Sequence, residues 1–174
     1  WYGCVRSRNS GSLRLNDSQP ETPYVGFLGT SQRCLNPILP LNETKSTVTS
    51  TIDALVVNVG SYRPNTHIPS GLIWGVNVLS PTAPFTDGRA YSVGNTAPRK
   101  ILVLMTDGEN TLRFQASDGQ HLALSSNATT AANQLTQTNK DVSDICVYAK
   151  SQGIEIYTVA LAVDSTTART MLQN

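Results

Sequence analysis

The sequence is poor in charge and in long apolar runs. Only 14% of its 174 residues are Asp, Glu, Lys or Arg, against about 25% in an average globular protein. The net charge is +1 and no basic run is longer than Arg99-Lys100, so the positive surface that nucleic-acid binding needs is missing. No apolar stretch approaches the roughly 18 residues of a membrane-spanning helix. We therefore expect no nucleic-acid partner, and membrane anchoring only through segments outside this chain.

Cysteine and histidine are also scarce. The three cysteines form no Cys-x-x-Cys pair, so no zinc site is indicated. The two histidines, His67 and His121, are far apart in sequence, and neither a Gly-x-Ser-x-Gly motif nor a metalloprotease-type histidine pair is present. The composition thus gives no support to a hydrolase, and we expect a protein that is not an enzyme.

Polar character comes instead from Ser, Thr and Asn, which together supply 50 residues and favour turns and helix caps. Residues 1–42 are punctuated by Gly, Pro, Ser and Asn and are predicted to be an irregular insert region. Residues 43–174 are predicted to form the C-terminal part of an α/β domain. The chain begins at Trp1 and stops at Asn174 within a helix-like segment, so we expect it to be a fragment.

Apolar periodicity predicts four helices. The first starts near Thr44 and stops by Gly60, and the second starts near Pro69 and ends before Pro81. Its inward residues are predicted to be Leu72, Ile73, Val76 and Leu79. A long helix is expected over residues 129–152, ended by Gly153, and a last one after Asp164-Ser165.

Two apolar runs, residues 100–106 and 154–161, predict strands. Because the first run is continuous rather than alternating, we expect a parallel strand covered on both faces. Residues 111–128 between them are interpreted as a polar loop. The order of helices and strands is typical of an α/β fold.

The carboxyl end of the first strand carries the main candidate site. It ends in Thr106-Asp107-Gly108-Glu109-Asn110, and open α/β sheets bind ligands where parallel strands end. A turn is the simple explanation for Asp-Gly, but several oxygen donors in one loop also suit a hard cation such as Mg²⁺. A phosphotransferase with Asp107 as nucleophile would normally have a second Asp two residues away, and Glu109 is a poor replacement.

A second loop, Asn65-Thr66-His67, leads into the second helix. Thr66 is suited either to capping that helix or to offering its hydroxyl to a metal at the same end of the sheet. His67 is a candidate ligand contact beside Thr66, although a solvent-exposed loop histidine is the simpler expectation.

Together these motifs resemble the von Willebrand factor type A (VWA) domain, and more closely the VWA domains of TadE/TadG-like proteins of bacterial tight-adherence (Flp) pilus systems. The matching segments occur from end to end in the order that this family shows, and they are Trp1-Tyr-Gly-Cys4-Val-Arg-Ser-Arg8, Cys34-Leu-Asn-Pro-Ile-Leu-Pro-Leu41, Gly71-Leu-Ile-Trp74-Gly75-Val-Asn-Val-Leu79-Ser-Pro81, Lys100 through Asn110, and Gly153-Ile-Glu-Ile-Tyr157-Thr158-Val. The resemblance implies a Rossmann-like, doubly wound, mostly parallel sheet, incomplete in this fragment.

The resemblance also implies a metal-ion-dependent adhesion site. Thr66 and Asp107 match two of its three ligand loops, with Asn65, His67, Gly108 and Glu109 as candidate ligand contacts. The third loop, Asp-x-Ser-x-Ser at the end of the first strand, does not occur in this chain, and in the family's order it would precede Trp1. The implied cofactor is Mg²⁺, or Mn²⁺ or Ca²⁺, which this fragment alone would bind weakly or not at all. A partner protein would complete the coordination with a carboxylate.

The cysteines are consistent with an exported protein. Cys4 and Cys34 are disulfide candidates within the irregular insert, and free buried thiols are the alternative. Cys146 is left over; its partner lies beyond Asn174 if the chain follows the family, or else it is a small buried apolar residue. These features predict an extracytoplasmic location, in the periplasm or on the cell envelope.

Two functional hypotheses follow from the sequence. The first is a non-enzymatic adhesion or assembly module of a pilus-assembly or surface protein, which binds its partner through the metal site. The second is a structural scaffold whose metal site is vestigial and which acts through the insert region.

Overall fold

The computed structural model describes residues 3–9, 11–19, 24–27 and 34–173. They form a mixed α/β fold, as predicted. Its helices are α1 (Lys45–Asp53), α2 (Ile68–Leu79), α3 (Ala128–Ser151) and α4 (Thr166–Gln173), and its strands are β1 (Ile101–Thr106), β2 (Leu112–Phe114), β3 (His121–Ala123) and β4 (Glu155–Ala160).

Strands β1 and β4 pair in parallel, with Leu102 opposite Ile156. Leu102, Leu104 and Ile156 point to one face of this sheet, where they pack against a core supplied mainly by α2 and α3. Helix α4 contacts the same face, because the Thr158 hydroxyl donates to the Leu172 carbonyl over 2.8 Å. The predicted parallel arrangement is therefore confirmed.

The other face of β1 is open. Ile101, Val103 and Met105 are 42%, 60% and 62% exposed. The prediction that both faces of this strand are covered is wrong, because no described element packs on the second face. The sequence shows that both faces of the strand are apolar. It does not show whether helices or strands pack on the second face.

The interpretation of residues 111–128 as a polar loop is also wrong in part. Strands β2 and β3 form an antiparallel hairpin there. The turn contains Gly119 at φ +75°, where a Cβ atom would lie 2.1 Å from the Ser7 carbonyl oxygen. A side chain at this position would therefore collide with the N-terminal segment. The Asp118-Gly119 pair is a recognised turn signal that predicts such a hairpin.

The helices have the predicted positions, with one difference in length. Helix α2 buries Leu72, Ile73 and Val76 as expected, and Gly153 follows α3 at φ +80°. Helix α1, in contrast, ends at Asp53, and its expected apolar face is exposed, with Ile52 at 59%.

The N-terminal region packs against the helices by means of a short 3-10 helix, Gly11–Leu15, which contacts both α2 and α3. A disulfide joins Cys4 to Cys34, and an isolated bridge pairs Val5 with Gly26. A disulfide and free buried thiols were the two alternatives for Cys4 and Cys34, and the disulfide is the one observed. Across the described ranges, none of the helices is both long and apolar enough to span a bilayer.

Candidate functional site at the carboxyl end of the sheet

Asp107 follows β1 directly, at the edge where the parallel ladder ends. The last ladder bond runs from the Leu161 amide to the Thr106 carbonyl, over 2.9 Å. Beyond it the chain turns at Gly108, whose amide lies 3.4 Å from the Thr106 hydroxyl. Asp107 and Glu109 are both exposed. The strand thus delivers two carboxylates to the solvent at the end of the sheet where α/β proteins bind ligands.

The Thr66 loop is fastened to the segment that follows Asp107. The amides of Thr111 and Leu112 donate to the Thr66 carbonyl over 2.9 and 3.1 Å, and the Thr66 amide donates to the Thr111 hydroxyl over 2.7 Å. The Thr111 hydroxyl also lies 3.4 Å from the Thr66 carbonyl oxygen, so four hydrogen bonds hold together two loops that are separate in sequence. Asn65 is exposed beside them, and Thr66 is half-buried.

Asn110 is the residue that positions this junction, a role not predicted from the sequence, in which Asn110 is only one of several oxygen donors in the loop. It is 2% exposed, and its Oδ1 accepts a hydrogen bond of 2.7 Å from the Ile68 amide at the start of α2. Its Nδ2 donates to Asn139 on α3 over 2.9 Å. The cap of α2 thus comes from a distant loop. The N-cap residue is His67, which makes no side-chain capping bond, so the capping role given as one of two alternatives for Thr66 is not observed.

The oxygen atoms available here are of the type that a hard cation prefers, but they are too few to complete its coordination shell. Within the described residues, no hydrogen bond engages the Thr66 hydroxyl or the Asp107 carboxylate. Mg²⁺ takes six oxygen ligands in a near-ideal octahedron, and the chain supplies two at the matched positions. The described residues contain no cluster of three or more His, Cys, Asp or Glu that could hold a metal. The remaining ligands would have to be water or groups from outside these residues.

His67 turns away from solvent, so the simpler expectation for this residue is wrong. Its ring stacks on that of His121, with 3.9 Å between centroids. Its Nδ1 lies 2.7 Å from the Ser70 hydroxyl, and His121 Nε2 lies 2.9 Å from the Ser7 hydroxyl. His67 Nε2 is buried and has no hydrogen-bond partner. This cluster joins the N-terminal segment, α2 and β3 directly behind the Thr66 loop.

Burial dominates the acid–base behaviour of the pair. Burial, and after it the neighbouring His121 and Arg14, together lower the pKa of His67 to about 3. Burial and then Arg14 lower the pKa of His121 to about 4. Both rings are neutral at pH 7 as a result, because a proton on either one would be poorly solvated and close to a guanidinium.

A second buried polar cluster centres on Asp17, which is 5% exposed. Its carboxylate accepts hydrogen bonds from the hydroxyls of Ser80, Tyr91 and Tyr148. Lys100 packs over the Tyr91 ring, and its Nζ donates to two backbone carbonyls. Burial, together with the Asp17 carboxylate, raises the pKa of Tyr91 and of Tyr148. Every polar group named here has a partner within the protein. We therefore interpret this cluster as structural and not as a binding site.

The same N-terminal region is held by two arginines, of which Arg8 is buried and Arg14 is partly buried. Arg14 forms an ion pair of 2.8 Å with Asp141 on α3. Arg8 is 1% exposed and donates to the carbonyl of Ser18 over 2.8 Å. The described residues of the N-terminal region are thus firmly joined to the helices.

The remaining cysteine, Cys146, is buried in the core and free. Burial raises the pKa of its thiol, so it is a poor nucleophile at neutral pH. Its surroundings match the expectation of a small buried apolar residue.

Comparison with known proteins finds no match to this chain among family models, curated proteins or solved structures. The likeness to VWA domains therefore rests on the sequence motifs, and what it implies for function is a proposal.

Proposed function

We propose that this chain is a non-enzymatic protein-binding module of a bacterial pilus-assembly or surface protein, related to VWA domains of the TadE/TadG type. Its binding surface is the carboxyl end of the sheet, where Thr66 and Asp107 form part of a metal-ion-dependent adhesion site. The observation that carries the proposal is the set of four hydrogen bonds between Thr66 and the segment after Asp107. Two oxygen donors of the matched motif types are thereby held on neighbouring loops.

The role of each group follows from its chemistry. Asp107 offers a carboxylate and Thr66 a neutral hydroxyl, so the pair contributes a single negative charge to a divalent cation. A bound Mg²⁺ would supply an under-neutralised positive centre that accepts a carboxylate from a partner protein. Asn110 keeps the two loops in place, since its side chain bonds both α2 and α3.

The cellular setting that we propose is extracytoplasmic, in the periplasm or on the envelope. The disulfide between Cys4 and Cys34 is consistent with an oxidising compartment. The proposed doubly wound VWA sheet needs further strands and a second layer of helices beyond the two paired strands described above.

A structural scaffold with a vestigial metal site is the second candidate, and one observation favours it. The insert region presents exposed apolar side chains, since Leu35, Ile38 and Leu41 are 43%, 49% and 49% exposed. Such side chains suit a protein contact that needs no metal. In this case loss of the Asp107 carboxylate would leave partner binding unchanged.

Calorimetric titration of Mg²⁺ and Mn²⁺ tests the proposal. We expect saturable binding that Asp107→Ala abolishes and Thr66→Ala weakens at least about tenfold, because each removes a ligand of the incomplete shell. Asp87→Ala is the matched control, since it removes an exposed carboxylate near the far end of α2. Binding that Asp87→Ala reduces as much as Asp107→Ala would contradict the assignment of the site. Absence of binding both here and in a chain extended upstream of Trp1 would favour the scaffold.

A further inference from the structure

A pocket of about 220 Å³ lies beside the C-terminal half of α2, towards the opposite end of this helix from the Thr66 loop. Its walls come from α2, from the loop at residues 84–87, and from Ile38 and Pro40 of the insert region. The volume is below the range of about 300 to 1,000 Å³ that is usual for pockets that hold a whole small molecule. The pocket therefore has the size for a single side chain, and it is separate from the candidate metal site.

Two aromatic rings, those of Trp74 and Phe85, line this pocket. Their centroids are 5.3 Å apart, and the planes meet edge to face at 77°. The ring of Tyr24 contacts both of them, with centroids 5.3 Å from Trp74 and 5.6 Å from Phe85. Because each ring packs against the two others, the aromatic wall is held in place before any ligand binds.

Asn77 contributes a buried oxygen atom that lacks a hydrogen-bond partner. This residue lines the pocket and is 0% exposed. Its Nδ2 donates to the Tyr24 hydroxyl over 2.7 Å, whereas its Oδ1 has no partner among the described residues. Buried acceptors without a donor are rare in native proteins, because nothing replaces the bond to water that folding removes. Since the amide nitrogen is already bonded, the group that Asn77 offers to the pocket is an acceptor.

We propose that this pocket binds the indole side chain of a tryptophan from a partner protein. An indole is a planar apolar ring that carries one N–H donor and no acceptor. It therefore supplies the donor that Asn77 Oδ1 lacks and buries its ring against Trp74 and Phe85, leaving none of its own polar atoms unpaired.

Other side chains match the pocket less well. A phenylalanine has no donor, and a tyrosine hydroxyl brings lone pairs that would themselves need a donor. A lysine or arginine would bring several donors and a positive charge. That charge would lie close to the buried Arg8, whose guanidinium packs 5.1 Å from the centroid of the Tyr24 ring.

A protein is the source of the indole that the surroundings favour. Ile38, which lines the pocket, is 49% exposed and belongs to the exposed apolar side chains of the insert region. A partner that inserts a tryptophan can bury this neighbouring area as well, which a free indole cannot do. Tryptophan is also one of the residues that contribute most to binding energy at protein interfaces.

Titration of N-acetyl-tryptophanamide into the ¹⁵N-labelled protein, followed by the side-chain signals of Trp74 and Asn77, tests the proposal. The matched ligand is the benzothienyl analogue, in which sulfur replaces the indole N–H. We expect the tryptophan ligand to bind about tenfold more tightly, because only this ligand pairs the buried acceptor. Equal affinities, or no binding of either ligand, would overturn the proposal. Tighter binding of free indole than of N-acetyl-tryptophanamide would overturn the assignment to a protein partner.

Two variants locate the site. Asn77→Leu should remove the tenfold preference while both ligands still bind, a result that a purely structural role of Asn77 would not give. Phe85→Ala should weaken both ligands about tenfold and keep the preference, and it still tests the pocket if Asn77→Leu does not fold. Tyr157→Ala is the control, since it removes a 52% exposed ring on β4. Unchanged binding by Phe85→Ala, or equal losses in Phe85→Ala and Tyr157→Ala, would place the ligand elsewhere.

The same titration of a chain extended upstream of Trp1 tests whether the pocket is open in a longer protein. We expect the affinity and the preference for the indole to be kept. Loss of binding in the longer chain would show that its own preceding segment fills the pocket, and would overturn the proposal. EDTA is present throughout, so these outcomes are independent of cation binding at Asp107.

Discussion

The Ile68 amide donates a 2.7 Å hydrogen bond to the side chain of Asn110, 42 residues further along the chain. This bond caps α2 from the loop that follows Asp107, and the same side chain reaches α3. The two candidate ligand loops therefore share one buried anchor. Their relative position depends on a residue that would not itself contact a bound ion.

Replacing Asn110 by Ala should lower the free energy of unfolding by about 1 to 3 kcal/mol, because the buried Ile68 amide loses its acceptor. Urea denaturation monitored by circular dichroism measures the loss. Asn139→Ala is the comparison, since it removes the bond to α3 and leaves the cap intact. An Asn110→Ala protein as stable as the unmodified chain would show that the anchor contributes nothing.

Acid should destabilise the protein through His67 and His121. Their pKa values in the folded state, about 3 and about 4, lie below the unfolded value of 6.5. The unfolded state therefore binds more protons as the pH falls below 6.5, and stability is lost from there down to the folded pKa values. The slope is at most about 1.4 kcal/mol per pH unit for each histidine.

Urea denaturation at a series of pH values from 7 to 4.5 measures this effect. His121→Gln should flatten the decline, because one titrating ring is removed while an amide that can bond Ser7 is kept. Arg14, which lowers the pKa of both rings, is unchanged in this variant. Equal slopes for the two proteins would contradict the assignment of the acid sensitivity to this pair.

Local pattern was sufficient to predict the helices and the parallel strands. Leu72, Ile73 and Val76 recur at helical spacing and are buried, and the run that forms β1 has no polar residue before Thr106. In these cases the pattern that predicts the element lies within the element itself, because burial of one face sets the spacing of its apolar residues.

The contacts between elements could not be predicted in this way. Ser70 and His121 are 51 residues apart, and Asp17 and Tyr148 are 131 apart. The periodicity of a sequence does not show which polar side chains come into contact when separate helices and strands pack together. The Thr66 and Asp107 loops could be placed at one end of the sheet only because parallel strands end there and because the motifs resemble a known family. Asn110, whose role depends on α2 and α3 together, had no local signal.

Replacing Asp17 by Ala should destabilise the protein by about 3 kcal/mol or more, because the buried Ser80 hydroxyl and two partly buried tyrosine hydroxyls lose their acceptor. Tyr148→Phe removes a single donor and should cost less than Asp17→Ala. Thermal and urea unfolding of both variants measure the difference, with Asp87→Ala as an exposed control. If Asp17→Ala and Asp87→Ala unfold alike, the carboxylate does not hold the N-terminal region to the helices.

Reduction of the bridge between Cys4 and Cys34 should lower the unfolding free energy by about 3 to 4 kcal/mol, because the bond closes a 30-residue loop in the unfolded chain. Cys4→Ser with Cys34→Ser should reproduce the effect without reductant. Cys146→Ala, in a protein with the bridge intact, tests the free thiol separately. Denaturation midpoints that do not respond to reductant would show that the bridge leaves stability unaffected.

We propose that a divalent cation binds between the Thr66 loop and the end of β1. Addition of substoichiometric Mn²⁺ to the ¹⁵N-labelled protein tests it directly, because the paramagnetic ion broadens the amide signals of the residues nearest to it. We expect the signals of residues 65–67 and 107–109 to broaden first and to recover when excess Mg²⁺ is added. Broadening that begins instead at other acidic positions, such as Glu43 or Asp53, would contradict it.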